Sequence, residues 1–189
     1  MKASVILSLL FAVVSVASPT SNANKEELSW WTITTKGKVD AQNHWLSLKD
    51  GKVGGFAGAR ETPDKAGKFF TAVYPPTGTS QLLSGNWDHQ LGLKVSTKGV
   101  MQLVDLGRGP TSAIIPKDAP NSIEWGVFQV GPSGEITVKD GADIPSRQWI
   151  SWLDTDGVYY TGLWDGFTRQ PRSFANITLV ATKTEPLFT

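Results

Sequence analysis

The stretch WISWLDTDGVYYTGLWDG, residues 149–166, decides how the rest of the chain is read. Two runs rich in aromatic and β-branched residues flank the short polar segment Asp154-Thr155-Asp156-Gly157. A glycine there supplies the positive φ that a tight hairpin turn needs, and the flanking runs suit a pleated, half-buried surface. Three of the eight tryptophans (Trp149, Trp152, Trp164) and two of the three tyrosines (Tyr159, Tyr160) fall inside it. It predicts a hairpin at the centre of an all-β domain.

The same grammar recurs on either side. Residues 44–48 and 53–57 flank Lys49-Asp50-Gly51-Lys52, an Asp-Gly hairpin signal. Residues 91–95 and 100–104 bracket Ser96-Thr97-Lys98-Gly99, and 125–130 and 135–138 bracket Gly131-Pro132-Ser133-Gly134. Further strands are predicted at 29–35, at 69–74 (stopped by Pro75-Pro76) and at 174–182, with an exposed loop over 60–68. No window of eleven or more residues after residue 17 sustains apolar spacing at i, i+3, i+4, so no substantial helix is expected. The pattern predicts an antiparallel β-sandwich or barrel of about 10–12 short strands, with roughly 30–45% strand. The hairpin units share only their glycine turn, which any antiparallel protein shows, so a trefoil or propeller-like repeat is the weaker reading.

A chain of 189 residues suits one domain with a sizeable core. Residues 1–17 carry one lysine and then an apolar run ending in Ser15-Val16-Ala17, the pattern of a secretory signal peptide cleaved after Ala17. Residues 18–27 are polar and expected to be a disordered leader, with 28–189 expected to form a single β domain. With Lys2 removed, basic and acidic residues balance at seventeen each. No basic tract marks a nucleic-acid partner, and the charged, proline-bearing tail is not a lipid-anchor signal, so no membrane anchor is expected. Cysteine is absent, which removes thiolate chemistry and leaves a secreted domain to be held by its core alone.

Candidate chemistry is sparse. His44 and His89 lack the GxSxG, HExxH or HxH spacing of catalytic or metal sites. Asp154, Asp156 and Asp165 cluster near the central hairpin, where aspartates bond their own backbone. Asp-x-Asp-Gly opens like a calcium loop but lacks its closing glutamate. No catalytic residue, metal ligand or cofactor is assigned. The tryptophans are the exception. Aromatic rings stack on sugar faces, which makes Trp30, Trp31, Trp149, Trp152 and Trp164 the candidate ligand contacts. Burial competes for the same side chains, and core is the expected place for at least five of the eight. Trp30 and Trp31 are adjacent and must point to opposite faces. Asn176-Ile177-Thr178 is the one N-glycosylation sequon, and strand alternation turns Asn176 outward if Ile177 and Leu179 face in.

Four segments together resemble the phialide-type conidial cell-wall proteins of filamentous ascomycete fungi. They are HWLSLKDGK (44–52), LVDLGRG (103–109), WGVF (125–128) with the Gly134 turn, and WISW (149–152). The chain lacks the cysteines which that family carries near its C-terminal aromatic segment. The resemblance implies a secreted, non-enzymatic, wall-associated protein of a fungus. The expectation is therefore a non-catalytic protein of the cell wall or extracellular matrix that binds polysaccharide through exposed aromatics, with tryptophans in an exposed row. A glycan-active enzyme with a carboxylate pair among Glu124, Asp154, Asp156 and Asp165 is one alternative. A carrier with an aromatic-lined barrel cavity is the other.

Overall fold

The computed structural model describes residues 28–97, 99–108, 123–141 and 144–187; the expected signal peptide (1–17) and leader (18–27) lie outside the described residues. Strands β1 (Ser29–Lys36), β2 (Ser47–Lys49), β3 (Lys52–Gly54) and β4 (Phe69–Tyr74) come first. They are followed by β5 (Thr79–Ser84), β6 (Gln90–Thr97), β7 (Val100–Asp105), β8 (Ile123–Glu124) and β9 (Phe128–Val130). Then come β10 (Ile136–Val138), β11 (Gln148–Leu153), β12 (Tyr159–Trp164), β13 (Phe174–Asn176) and β14 (Thr178–Lys183). The protein is all-β and antiparallel, about 50% strand, with no helix of seven or more residues among the described residues. Strand content exceeds the sequence-based range, partly because β5 carries no alternation to reveal it. Leu82 and Leu83 are both buried, one on each face of the sheet.

The main sheet runs β13-β11-β12-β7-β6-β5-β4-β1-β14 and nearly closes into a barrel. Closure comes from the last stretch of chain. Residues 174–182, predicted as one strand, break at Ile177 and take two partners. Phe174–Asn176 pairs with β11, from Trp152↔Phe174 to Ile150↔Asn176. Thr178–Lys183 then pairs with β1, from Lys36↔Thr178 to Trp31↔Lys183. Between β5 and β6 the sheet splays, and the segment from β8 to β9 enters the gap, pairing Glu124 with Leu93 and Phe128 with Ser80. The β2–β3 hairpin forms a small separate sheet around Asp50 and Gly51. Both turn residues have positive φ (52° and 72°), the two-residue turn that matches strand twist.

Register fixes which side chains point inward. Ile33, Phe69, Leu82, Leu91, Leu93, Leu103, Trp149, Leu163, Leu179 and Ala181 all belong to the inner face and pack as one core. Burying a large apolar side chain contributes roughly 1.5–3 kcal/mol, so this core holds a domain without disulfides. The outer face carries two smaller clusters. One gathers Trp30, Phe70, Ala72 and Leu83; the other gathers Val100, Ile150, Trp152, Val158 and Tyr160.

Candidate functional site

Trp152, from the second outer cluster, floors a cleft of about 900 Å³ on the outside of the barrel. One wall is the end of β11 and its turn: Leu153, Asp154 and Thr155. The other is the loop before β13: Thr168, Arg169, Gln170, Pro171 and Arg172. Ser96, Thr97 and Gln102 from β6 and β7 complete it.

The walls are held by local bonds that the sequence encodes. In the β11–β12 turn Asp154 Oδ1 accepts the Thr155 amide at 2.7 Å, and Asp156 Oδ1 accepts the Val158 amide at 3.1 Å. Asp156 also accepts from the Tyr160 hydroxyl (2.7 Å) and from Lys52 (3.0 Å). Those donors hold its carboxyl down at about 2. In the loop, Asp165 Oδ1 accepts the amides of Phe167 and Thr168 and the Thr168 hydroxyl, each at 2.9 Å. Burial works against the Asp165 charge, but the donors from Thr168 and Phe167 outweigh it and keep the carboxyl below its ordinary range. The Trp164 indole donates to the Thr168 carbonyl at 2.9 Å, and the Asp165 amide donates to the Gly99 carbonyl at 2.9 Å. The loop closes through Ser173 at φ 57°, an uncommon conformation for a residue with a side chain.

The five candidate tryptophans separate. Trp149 lies inside the barrel and donates its indole N–H to the Ile136 carbonyl at 2.8 Å, which removes it from any ligand surface. Trp31 is half-buried on the inner face and donates to Thr71 at 3.1 Å. Trp30 faces outward but is covered, packing on Phe70 at 4.9 Å. Of the five, Trp152 lines the cleft, and Trp164 stands beside it through its bond to Thr168. Trp152 is buried as its floor, and half-buried Trp164 sits 6.5 Å from the Phe174 ring. Trp125 is buried against Tyr74, and Trp87 is the well-exposed tryptophan, at 57%. The structure therefore presents one buried tryptophan at the cleft floor and no row of exposed tryptophans. Asn176 is exposed on the outer face, where its Oδ1 accepts from Gln148 Nε2 at 2.9 Å.

The four candidate acids do not face one another as a pair. Asp154, Asp156 and Asp165 are each engaged by their own turns, and Glu124 points to the inner face beside Leu93. Glu124 lies 3.8 Å from Arg147, which also binds Asp140. Burial, then the neighbouring Asp140, pushes the Glu124 carboxyl up to about 8 against the pull of Arg147. Asp140 and Arg147 escaped notice because they sit in turn-rich segments that carry no periodic pattern. The histidines are apart from both places. His44 is buried against Tyr159 at 4.0 Å with neither ring nitrogen bonded, while His89 meets Asp105 at 2.8 Å. Burial, with Arg60 nearby, lowers the His44 pKa.

No family model matches the chain, and no curated protein is detectably similar to it.

Proposed function

We propose that this is a secreted, non-catalytic fungal protein of the cell wall or extracellular matrix that binds polysaccharide in the outer cleft. The observation that carries this reading is the cleft's composition. An apolar floor and edge (Trp152, Leu153, Pro171) suits the faces of sugar rings. Around it, the amides of Gln102 and Gln170 and the hydroxyls of Ser96, Thr97, Thr155 and Thr168 offer donors and acceptors for sugar hydroxyls. Glycoside hydrolysis ordinarily needs two carboxyl groups across the bond, and among the described cleft residues Asp154 is the single carboxylate. The barrel interior, filled by its own side chains, gives a carrier little support.

The test is retention of the purified mature protein on insoluble chitin, β-glucan, cellulose and an immobilised acidic polysaccharide, scored beside release of soluble sugar. Retention without release is expected. Release of sugar overturns the non-catalytic reading, and failure to bind any of them overturns the glycan reading. One observation favours a glycan-active enzyme as the second reading: Glu124, protonated up to about 8, stands beside Asp140 as a proton donor beside a second carboxyl group. Sugar release lost in Glu124→Gln would establish it.

A further inference from the structure

Three of the five arginines are neutralised within the fold. Arg60 pairs with Glu61 at 2.5 Å, Arg108 with Asp88 at 2.7 Å, and Arg147 with Asp140 and Glu124. The other two, Arg169 and Arg172, have no ion-pair partner among the described residues. Both are exposed, and both line the cleft. Asp165, the nearest acid in their own loop, is occupied by the Phe167 and Thr168 amides. Lys94, exposed on the outer face, stands opposite Gln102 in the β6–β7 register and adds a third cation near the cleft.

We infer that the occupant of the cleft is a carboxylated polysaccharide whose acid groups are received by Arg169 and Arg172. This rests on the glycan reading above and specifies its chemistry. Guanidinium is planar and binds carboxylate through paired N–H donors, which a neutral glucan does not use. Three residues of chain separate the two arginines by at most about 11 Å, so both can meet one polymer segment. Asp154 on the facing wall lowers the net charge of the lining to one positive unit, which disfavours a densely charged phosphate polymer. It suits a chain with spaced acids and many hydroxyls.

The experiment measures binding of the full mature protein to polygalacturonate and to the same polymer methyl-esterified, with poly-L-glutamate and single-stranded DNA as polyanions lacking the acidic sugar. Binding to polygalacturonate is expected. It should weaken about tenfold or more on esterification and in the Arg169→Gln/Arg172→Gln variant, and fall with added salt. Unchanged thermal unfolding of that variant shows that the loss is not unfolding. Equal affinity for acid and ester, or full retention by the double variant, overturns the inference while leaving the glycan reading standing. Binding to poly-L-glutamate or DNA as tight as to polygalacturonate overturns it as well, since charge alone then suffices. Failure on every polysaccharide, neutral ones included, overturns both.

Discussion

The Ile177 amide donates to the Trp149 carbonyl at 3.0 Å, and this bond marks where the C-terminal strand leaves β11 for β1. Ile177 is buried in the inner core, so one residue joins the two edges of the sheet and fills space between them. Ile177→Ala should cost about 2–4 kcal/mol and Ile177→Val about 1 kcal/mol, measured by urea unfolding. Equal and negligible effects would mean that closure contributes little to stability.

This hinge also shows where sequence reading stops. The alternation of Ile177, Leu179 and Ala181 correctly turns Asn176 outward, because alternation reports facing. It says nothing of partners, so one predicted strand proves to be two. The Asp50-Gly51 and Asp156-Gly157 turns were legible because positive φ selects glycine and its neighbours. Trp149 and Trp152 look alike in sequence, yet alternate registers send one into the barrel and the other to the cleft floor. Arg169 and Arg172 were invisible as a site, since an unpaired arginine differs from a paired one only in three dimensions.

Glu124 makes stability depend on pH. Its folded carboxyl holds a proton up to about 8, whereas the unfolded chain releases it near 4.5, so the folded state binds the extra proton between those values. Stability should therefore fall as pH rises through that window. Near pH 8 His44 is deprotonated in both the folded and the unfolded state, so the slope there reports Glu124 without it. Glu124→Gln, which mimics the protonated acid beside Asp140 and Arg147, should flatten the slope of unfolding free energy against pH. An unchanged slope would contradict the assignment.

His44 acts with the opposite sign. Its folded pKa lies below the ordinary 6.5, because burial and then Arg60 disfavour the imidazolium. The unfolded chain takes the proton first as pH falls below 6.5, so stability drops on acidification. His44→Phe keeps a ring against Tyr159 and removes the two unbonded nitrogens. It should shrink the drop in Tm between pH 7 and pH 5. A drop as large as in the wild type would assign the acid sensitivity elsewhere.

Gly99 links a β-turn to the cleft. It has φ 77°, and a Cβ there would run into the side chains of Thr168 and Asp165. Gly99→Ala should cost roughly 1–3 kcal/mol and displace the loop that carries both cleft arginines. Weaker polysaccharide retention at temperatures where the variant remains folded is the expected result. Undiminished retention would show that the loop does not form the binding wall.

The most direct measurement of the central claim compares retention on polysaccharide for the wild type, for Leu153→Ala/Gln102→Ala and for Trp87→Ala. Leu153 and Gln102 line the cleft, whereas Trp87 lies against Phe70 in the other outer cluster and is the most exposed tryptophan. The cleft account predicts that the double variant loses retention with its fold intact, while Trp87→Ala binds as the wild type does. Loss in Trp87→Ala with retention in the double variant would contradict it and place the glycan at the other outer cluster.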